Sequence, residues 1–270
     1  MTAAAPARRR TTRIPVALLL PAVLGLLFLL LPVLGLLVRA PWSQLPNRLT
    51  QPQVLEALWL SLRTATLATL LCLILGVPLA WLLARVDFPG RPVVRALVTV
   101  PLVLPPVVGG VALLLAFGRN GIVGHWLDTT VGISLPFTTT GVVVAEAFVA
   151  MPFLVIAVEG ALRGVDPRYE EAAATLGAGR WTVFTRVTLP LVAPGIAAGG
   201  VLCWARALGE FGATITFAGN YPGSTRTMPL AVYLALETDL PAAIVLSLVL
   251  LVVSVAILAA LRDKWIRTAT

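Results

Sequence analysis

The chain has 270 residues, of which 59% are hydrophobic and 12% are charged, and its formal net charge at pH 7 is +8. Because soluble domains carry about 25% charged residues, this composition, with a mean hydropathy of +0.96, excludes a soluble globular protein and indicates a polytopic membrane protein. In a membrane protein, cationic loops that face anionic lipid headgroups account for the positive net charge. We therefore predict that the partner of these cations is the lipid bilayer and not a nucleic acid.

Six segments are apolar and long enough to cross a bilayer as helices, since about 20 residues span its hydrocarbon core. The fifth of them carries two charges, Arg206 and Glu210, in its second half. Strands of a transmembrane barrel would alternate in polarity over about ten residues. These runs do not alternate, so we predict an all-α fold. In chain order the predicted spans are Ile14–Val38, Thr64–Ala84, Ala96–Phe117, Thr138–Val158, Leu189–Gly219 and Ala242–Leu261.

The distribution of cations predicts the orientation, because short loops rich in Lys and Arg stay cytoplasmic. With six spans both termini lie on one side, and we predict that this side is cytoplasmic because it carries most of the cations. A single transmembrane domain is predicted over residues 14–262, between cytoplasmic tails of residues 1–13 and 263–270. The cations on this side are Arg8, Arg9, Arg10, Arg13, Arg85, Arg91, Arg95, Arg163, Arg168, Arg180, Arg186, Arg262, Lys264 and Arg267.

The polar stretch between the fourth and fifth spans lies on this cytoplasmic side and predicts a short surface helix. Asp166 and Pro167 are typical of the N-cap and the first position of a helix. Glu170 and Glu171 place negative charge in the first turns, where the helix dipole favours it. The three alanines at 172–174 then continue the helix with the residue of highest helix propensity.

Glycines end this predicted helix and a second helix follows. Gly177 and Gly179 form the turn, and Trp181–Val187 begins a helix that enters the membrane at Leu189 and Pro190. The sequence therefore predicts a helix, a glycine turn and a second helix at the cytoplasmic surface.

The spacing of this stretch resembles the EAA loop of permease subunits in binding-protein-dependent ATP-binding-cassette (ABC) importers. The matching positions are Glu171, Ala172, Ala173, Gly177, Val187, Leu189 and Pro190. The resemblance implies a type I ABC importer permease fold in which residues of about 166–190 form a coupling loop that docks on a separate ATPase subunit. The expected ATPase-coupling residues are Glu170, Glu171, Ala172, Ala173, Leu176, Gly177, Leu189 and Pro190.

Three further stretches narrow the resemblance to one branch of that family. Residues 100–110, 113–124 and 204–229 look like the corresponding regions of molybdate permeases, with sulfate permeases a close second. The resemblance implies import of molybdate by alternating access, with sulfate, thiosulfate or tungstate as the alternative cargo. It also implies two copies of this chain per transporter, although a paralogue as the second chain stays open.

The same resemblance implies the other partners. An extracytoplasmic molybdate-binding protein is expected to dock on loops near residues 45–56, 118–135 and 220–239. ATP and magnesium are expected on the separate ATPase subunit, and no cofactor is expected on this chain. A membrane subunit that docks or regulates a partner without transporting is the alternative from a different class.

Four polar residues of the fifth span are candidates for an anion path. Arg206 and Glu210 are spaced i, i+4, so they share a helix face and can neutralise each other at membrane depth. Both a pathway role and a structural pair between helices remain open. Thr214 or Thr216 can offer a hydroxyl to an oxyanion, although threonine in a span often bonds only to its own backbone.

Prolines and glycines predict interruptions of two membrane-spanning helices. Pro105 and Pro106, followed by Gly109 and Gly110, are expected to break the third span near its centre, and the prolines and glycines of residues 194–200 to loosen the fifth. These interruptions can serve close helix packing, or they can form a gate or a wall of the pathway. On the second interpretation, Pro105 and Pro106 are candidate pathway residues.

One further carboxylate, Glu146, is predicted at membrane depth in the fourth span. A buried carboxylate is expected to be protonated or paired with a cation, and Arg63 and Arg206 are the candidate partners. A negative charge on a path for a dianion would be unfavourable, so we expect Glu146 to face the packed interior.

A membrane enzyme is the alternative that the sequence disfavours. The sole histidine, His125, lies in an outer loop with only Asp128 nearby, which makes no metal site of the His-Glu-x-x-His kind. No Walker loop of the form G-x-x-x-x-G-K-[ST] occurs, since the only lysine is Lys264. We therefore predict that the chain is not an enzyme.

Overall fold

The computed structural model describes the backbone of residues 16–268 and the side chains of residues 18–257 and 259. The predicted N-terminal tail, residues 1–13, and the side chains of the predicted C-terminal tail, residues 263–270, lie outside the described residues. Every regular element of residues 16–268 is a helix, as the all-α prediction requires. Backbone contacts divide the chain into two units, Met1–Pro41 and Trp42–Thr270, and the predicted domain limits of 14–262 remain a prediction.

The first unit contains α1 (Val16–Val38), an apolar helix of 23 residues. The second unit contains all the other helices. They are α2 (Leu45–Leu49), α3 (Pro52–Arg85), α4 (Arg91–Val103), α5 (Pro106–Phe117), α6 (Gly124–Trp126) with a π-helical turn Leu127–Val131, α7 (Thr139–Gly164), α8 (Arg168–Thr175), α9 (Arg180–Val183) with a π-helical turn Phe184–Thr188, α10 (Leu189–Leu208), α11 (Gly212–Ala218), α12 (Met228–Thr238) and α13 (Leu240–Thr268).

Within the described residues, five helices are long and apolar enough to cross a membrane, or six if the bent pair α4–α5 is one span. This agrees with the six spans that hydropathy predicts. The limits differ, because α3 begins at Pro52 rather than Thr64 and α7 continues to Gly164 rather than Val158. The five spans are Leu18–Val38, Pro52–Arg85, Thr139–Gly164, Arg180–Leu208 and Leu240–Ile257.

The third predicted span is broken where its prolines predict. Helices α4 and α5 are bent by 120° from each other, and the chain between them is extended at Leu104 (ψ 131°) and Pro105 (ψ 134°). A residue before proline is pushed out of the helical region, and proline has no N–H to continue the helix. Two such residues in a row, Pro105 and Pro106, therefore separate the two helices.

The fifth predicted span, Leu189–Gly219, is interrupted at a different place from the one predicted. Helix α10 runs unbroken through Pro194, and the break comes at residues 209–211, before α11. Gly195 and Gly199 serve packing instead. A Cβ at Gly199 would lie 3.0 Å from the Cβ of Ala157, and one at Gly195 would overlap the side chain of Ala161. The expectation that residues 194–200 loosen this helix is wrong, because these glycines let α10 lie close against α7.

Helix α7 lies at the centre of the second unit and packs against α3 and α10. The contact surfaces are lined by small side chains, which allow helix backbones to approach closely in a membrane. Among the fully buried residues of this core are Ala65, Ala68 and Cys72 of α3, Ala147, Ala150 and Leu154 of α7, and Cys203 and Ala207 of α10.

The close approach of α5 to α11 gives a testable prediction at Gly110. A Cβ at this position would lie 2.5 Å from Thr216 Cβ and 3.0 Å from the carbonyl oxygen of Ala213. Because overpacking a core costs about 1–3 kcal/mol, we expect Gly110→Ala to lower the midpoint of thermal unfolding of the purified protein in detergent.

Gly160→Ala is the matched control, because a Cβ at this α7 position meets no atom within 4 Å. Replacing a helical glycine by alanine removes a propensity cost of about 1 kcal/mol, so this control is expected to keep or slightly raise the midpoint. Equal midpoints for Gly110→Ala and Gly160→Ala would contradict the tight α5–α11 contact.

Candidate functional site

The ion pair predicted in the fifth span forms where α10 ends. Arg206 Nη2 lies 2.7 Å from Glu210 Oε2, and the glutamate side chain is 1% exposed against 28% for the arginine. Glu210 Oε1 also accepts a hydrogen bond of 2.9 Å from the backbone N–H of Ala213 in the first turn of α11. One carboxylate therefore neutralises the guanidinium and satisfies a free N–H of the following helix.

Glu146 is buried in α7, as expected of a residue that faces the packed interior, but its partner is not a cation. Thr64 Oγ1 of α3 donates a hydrogen bond of 2.9 Å to Glu146 Oε1, and within the described residues Oε2 has no partner. Arg63 is exposed and Arg206 pairs with Glu210. Of the two alternatives expected for Glu146, pairing with Arg63 or Arg206 does not occur, and the protonated carboxyl stays a prediction.

The break in the third span and the break after α10 lie against each other. A Cβ at Gly212, the first residue of α11, would lie 2.7 Å from Pro106 Cβ and 3.2 Å from the backbone nitrogen of Val107. The structure therefore brings Pro106 beside the chain that carries Glu210 and Arg206, although about 100 residues separate them in sequence. We call Arg206, Glu210 and Glu146, together with Thr64 as the partner of Glu146, the charged core.

The two threonines proposed as anion ligands differ in the structure. Thr216 Oγ1 donates a hydrogen bond of 2.8 Å to the carbonyl oxygen of Gly212, one turn earlier in its own helix. Thr214 is fully buried, and its hydroxyl has no partner within the described residues. Bonding of a threonine to its own backbone is thus confirmed for Thr216 only.

The stretch between α7 and α10 forms the predicted helix, turn and second helix. Gly177 has φ +85°, a left-handed conformation that is typical of a glycine after the end of a helix. The start differs slightly from the prediction, because Pro167 precedes the first helical residue of α8. Asp166 Oδ1 still caps the helix, since it accepts a hydrogen bond of 3.0 Å from the N–H of Arg168.

The candidate coupling residues present two different faces. Glu171, Ala172, Leu176, Gly177 and Pro190 are exposed, and the side chain of Leu176 is 89% exposed. Glu170, Ala173 and Leu189 are partly buried. The exposed apolar and acidic residues of α8 and the following turn therefore form a surface that no other described part of this chain covers.

Ion pairs bring the cation-rich loops to one end of the helical bundle. Glu159 of α7 accepts from Arg95 of α4 at 2.5 Å and from Arg163 at 2.8 Å. Arg85, at the end of α3, pairs with Glu170 of α8 at 3.2 Å. The connections that follow α3 and α7 thus meet in space, and we call this end, which the cation count predicts to be cytoplasmic, the inner end.

The profile of the family described as binding-protein-dependent transport system inner membrane component matches residues 76–268. The molybdenum transport system permease protein ModB of Mycobacterium tuberculosis is 51% identical over 245 residues, covering 90% of this chain and 92% of the relative. The sulfate transport system permease protein CysT of Escherichia coli is 40% identical over 236 residues, covering 86% of this chain and 85% of the relative.

A solved structure has the same fold. It is a chain of a bacterial alginate ABC transporter in complex with an alginate pentasaccharide-bound periplasmic protein, with a TM-score of 0.75, 22% identity and coverage of 93% of both chains. The fold, the membrane-spanning helices and the relatives agree with one another, and this chain belongs to the family of inner membrane components of binding-protein-dependent transport systems.

Proposed function

We propose that this chain is the membrane-spanning permease subunit of an ATP-driven importer that carries molybdate across the cytoplasmic membrane. The observation that carries this proposal is the 51% identity to a molybdenum transport permease over 90% of the chain. The matched region covers 245 residues of this chain and 92% of the relative.

The proposed partners follow from the family description and from the surfaces of the chain. A solute-binding protein delivers molybdate at the outer end, on the predicted loops near residues 45–56, 118–135 and 220–239. The exposed face of α8 and its glycine turn docks on a separate ATPase subunit at the inner end, which is the cytoplasmic side. Glu171 and Leu176 contribute charge and apolar area to that contact, a combination that suits a helix seated in a groove.

The proposed mechanism is alternating access between two copies of this chain. Closure of the ATPase subunits draws the two α8 helices together and opens the path to the outside. Hydrolysis then allows the path to reopen inwards. The charged core lies on α3, α7 and α10 and, through Glu210, in the break after α10. The partly exposed guanidinium of Arg206 is the cation in it that a dianion can approach.

The experiment that tests the cargo is uptake of labelled molybdate by cells with and without this chain, challenged separately by excess tungstate and excess sulfate. Chain-dependent uptake that tungstate blocks and sulfate does not block is the expected result. Cells that take up equal amounts with and without the chain would contradict the proposal. Transport in reconstituted vesicles with the partner subunits would exclude a docking subunit that does not transport.

Sulfate is the second candidate cargo, because the chain is also 40% identical to a sulfate permease over 236 residues. Molybdate and sulfate are both tetrahedral dianions, so a path lined by the same groups can admit either. Strong competition by sulfate in the uptake experiment would favour a broader oxyanion importer.

A further inference from the structure

Two adjacent glutamates of α8 lie on different faces of the helix. Glu171 is exposed, whereas the side chain of Glu170 is only 23% exposed and is directed at the membrane-spanning helices. Residues next to each other on a helix are about 100° apart, so the two carboxylates cannot serve the same contact.

Glu170 binds two helices at once through a single oxygen. Its Oε1 lies 3.2 Å from Arg85 Nη2 at the end of α3 and accepts a hydrogen bond of 3.0 Å from Thr188 Oγ1 at the start of α10. Arg85 Nη2 also donates a hydrogen bond of 3.3 Å to the carbonyl oxygen of Val165, in the connection from α7 to α8. We call these residues the Glu170 junction.

Burial makes the loss of one partner of this junction more costly than the loss of one partner of a surface ion pair. The side chain of Arg85 is 13% exposed, its Nε is buried without a hydrogen-bond partner in the described part of the chain, and Thr188 is 1% exposed. Glu170 is thus the only carboxylate that pairs with Arg85 within the described residues. Its removal would leave a guanidinium that is poorly hydrated and without a counter-charge.

The two helices held by Glu170 carry two residues of the charged core, Thr64 on α3 and Arg206 on α10. Thr64, the partner of Glu146, lies 21 residues before Arg85, or about 30 Å along α3. Arg206, the partner of Glu210, lies 18 residues after Thr188, or about 27 Å along the α9–α10 segment. Between these ends, Trp204 Nε1 donates a hydrogen bond of 3.2 Å to Thr66 Oγ1, so α3 and α10 are also joined near the core.

We propose that Glu170 is a positioning residue that fixes α8 to α3 and α10, so that a displacement of α8 moves both helices together with the charged core. Glu171 then contacts the ATPase subunit and Glu170 transmits the resulting movement within this chain. This assignment rests on the proposed function, because it requires α8 to be moved by a partner.

The test compares Glu170→Gln with the exchanged pair Arg85→Glu/Glu170→Arg in the complete transporter, reconstituted in vesicles with the ATPase subunit and the binding protein. We expect Glu170→Gln to reduce the molybdate taken up per ATP hydrolysed by about tenfold, the size of a typical coupling free energy. The exchanged pair is expected to recover much of that ratio. Asp87→Asn is the matched control, because Asp87 forms an exposed ion pair with Arg91 at the same end, and exposed pairs contribute little.

Amide hydrogen exchange on the permease in lipid nanodiscs provides a readout that does not depend on transport. Exchange in residues 168–176 is expected to become faster in Glu170→Gln and to stay unchanged in Asp87→Asn. Unchanged exchange in Glu170→Gln, or an unchanged uptake ratio, would overturn the proposal. Faster exchange in a protein whose wild type takes up no molybdate would support the junction and overturn the proposed function.

Discussion

The Glu171→Lys variant is expected to insert into the membrane in normal amounts and to lose at least about nine-tenths of molybdate uptake, a coupling loss within the usual range of 1–3 kcal/mol. Glu171 is exposed on α8 and no hydrogen bond or ion pair of its side chain occurs in the described residues, so the change leaves this chain's own packing intact. At a docked surface, however, reversing a charge places like charges together at a cost of several kcal/mol. Uptake and the amount of inserted protein are measured on the same membranes.

Gly177→Asp alters the same exposed surface of α8 through the backbone conformation of its glycine turn. A Cβ at Gly177 meets nothing within 4 Å, but φ is +85°, a conformation that costs Asp up to about 1–2 kcal/mol relative to Gly. We therefore expect Gly177→Asp to reduce molybdate uptake. Gly179→Asp is the control, because it adds the same charge two residues away at φ −66°, where no such cost arises. Uptake at the wild-type level with normal assembly, in either Glu171→Lys or Gly177→Asp, would contradict the assignment of α8 as the coupling helix.

The Glu210→Ala variant is expected to cause the largest loss of stability. It leaves the guanidinium of Arg206 without its partner and the N–H of Ala213 without its acceptor. Breaking a buried ion pair from one side costs about 3–5 kcal/mol, and losing a helix cap about 1 kcal/mol. We therefore expect a clearly lower midpoint of thermal unfolding in detergent and a reduced yield of purified protein.

The double variant Arg206→Met/Glu210→Gln separates the structural role of the pair from a pathway role. It removes both charges while the amide oxygen of Gln can still accept from Ala213, so it should unfold at a higher temperature than Glu210→Ala. If the double variant is stable but transports no molybdate, the charges of the pair act in the path. If it is stable and transports normally, the pair serves only to hold the helices. A midpoint for Glu210→Ala that equals the wild-type value would contradict the structural role of the pair altogether.

Local signals in the sequence were sufficient to predict the membrane-spanning helices and the surface helix α8 with its glycine turn. Runs of apolar residues predicted the spans because hydrocarbon thickness sets helix length. Pro105 and Pro106 predicted the break between α4 and α5, since proline acts on its own backbone and on the preceding residue. Gly177 predicted the turn after α8 for the same local reason.

Contacts between distant residues could not be predicted in this way. Residues 194–200 look like a break by composition, yet α7 supports this part of α10, and the actual break follows Leu208. Helix α12, Met228–Thr238, lies within residues 220–239, which the sequence analysis predicts as an outer loop. Thr64 as the partner of Glu146 and Thr188 as a partner of Glu170 lie 82 and 18 residues away in sequence, and no spacing rule connects them.

The sequence by itself determined the all-α class, the number of spans, the cation-rich end and the helix–turn–helix of residues 166–190, because hydropathy, charge and backbone propensity are properties of neighbouring residues. Only the tertiary structure decided which of two adjacent glutamates faces inwards, which hydroxyl satisfies Glu146, and where two broken helices meet at Pro106 and Gly212. These outcomes depend on which surfaces pack together. A buried charge or polar group must find its partner among the side chains that packing brings within reach.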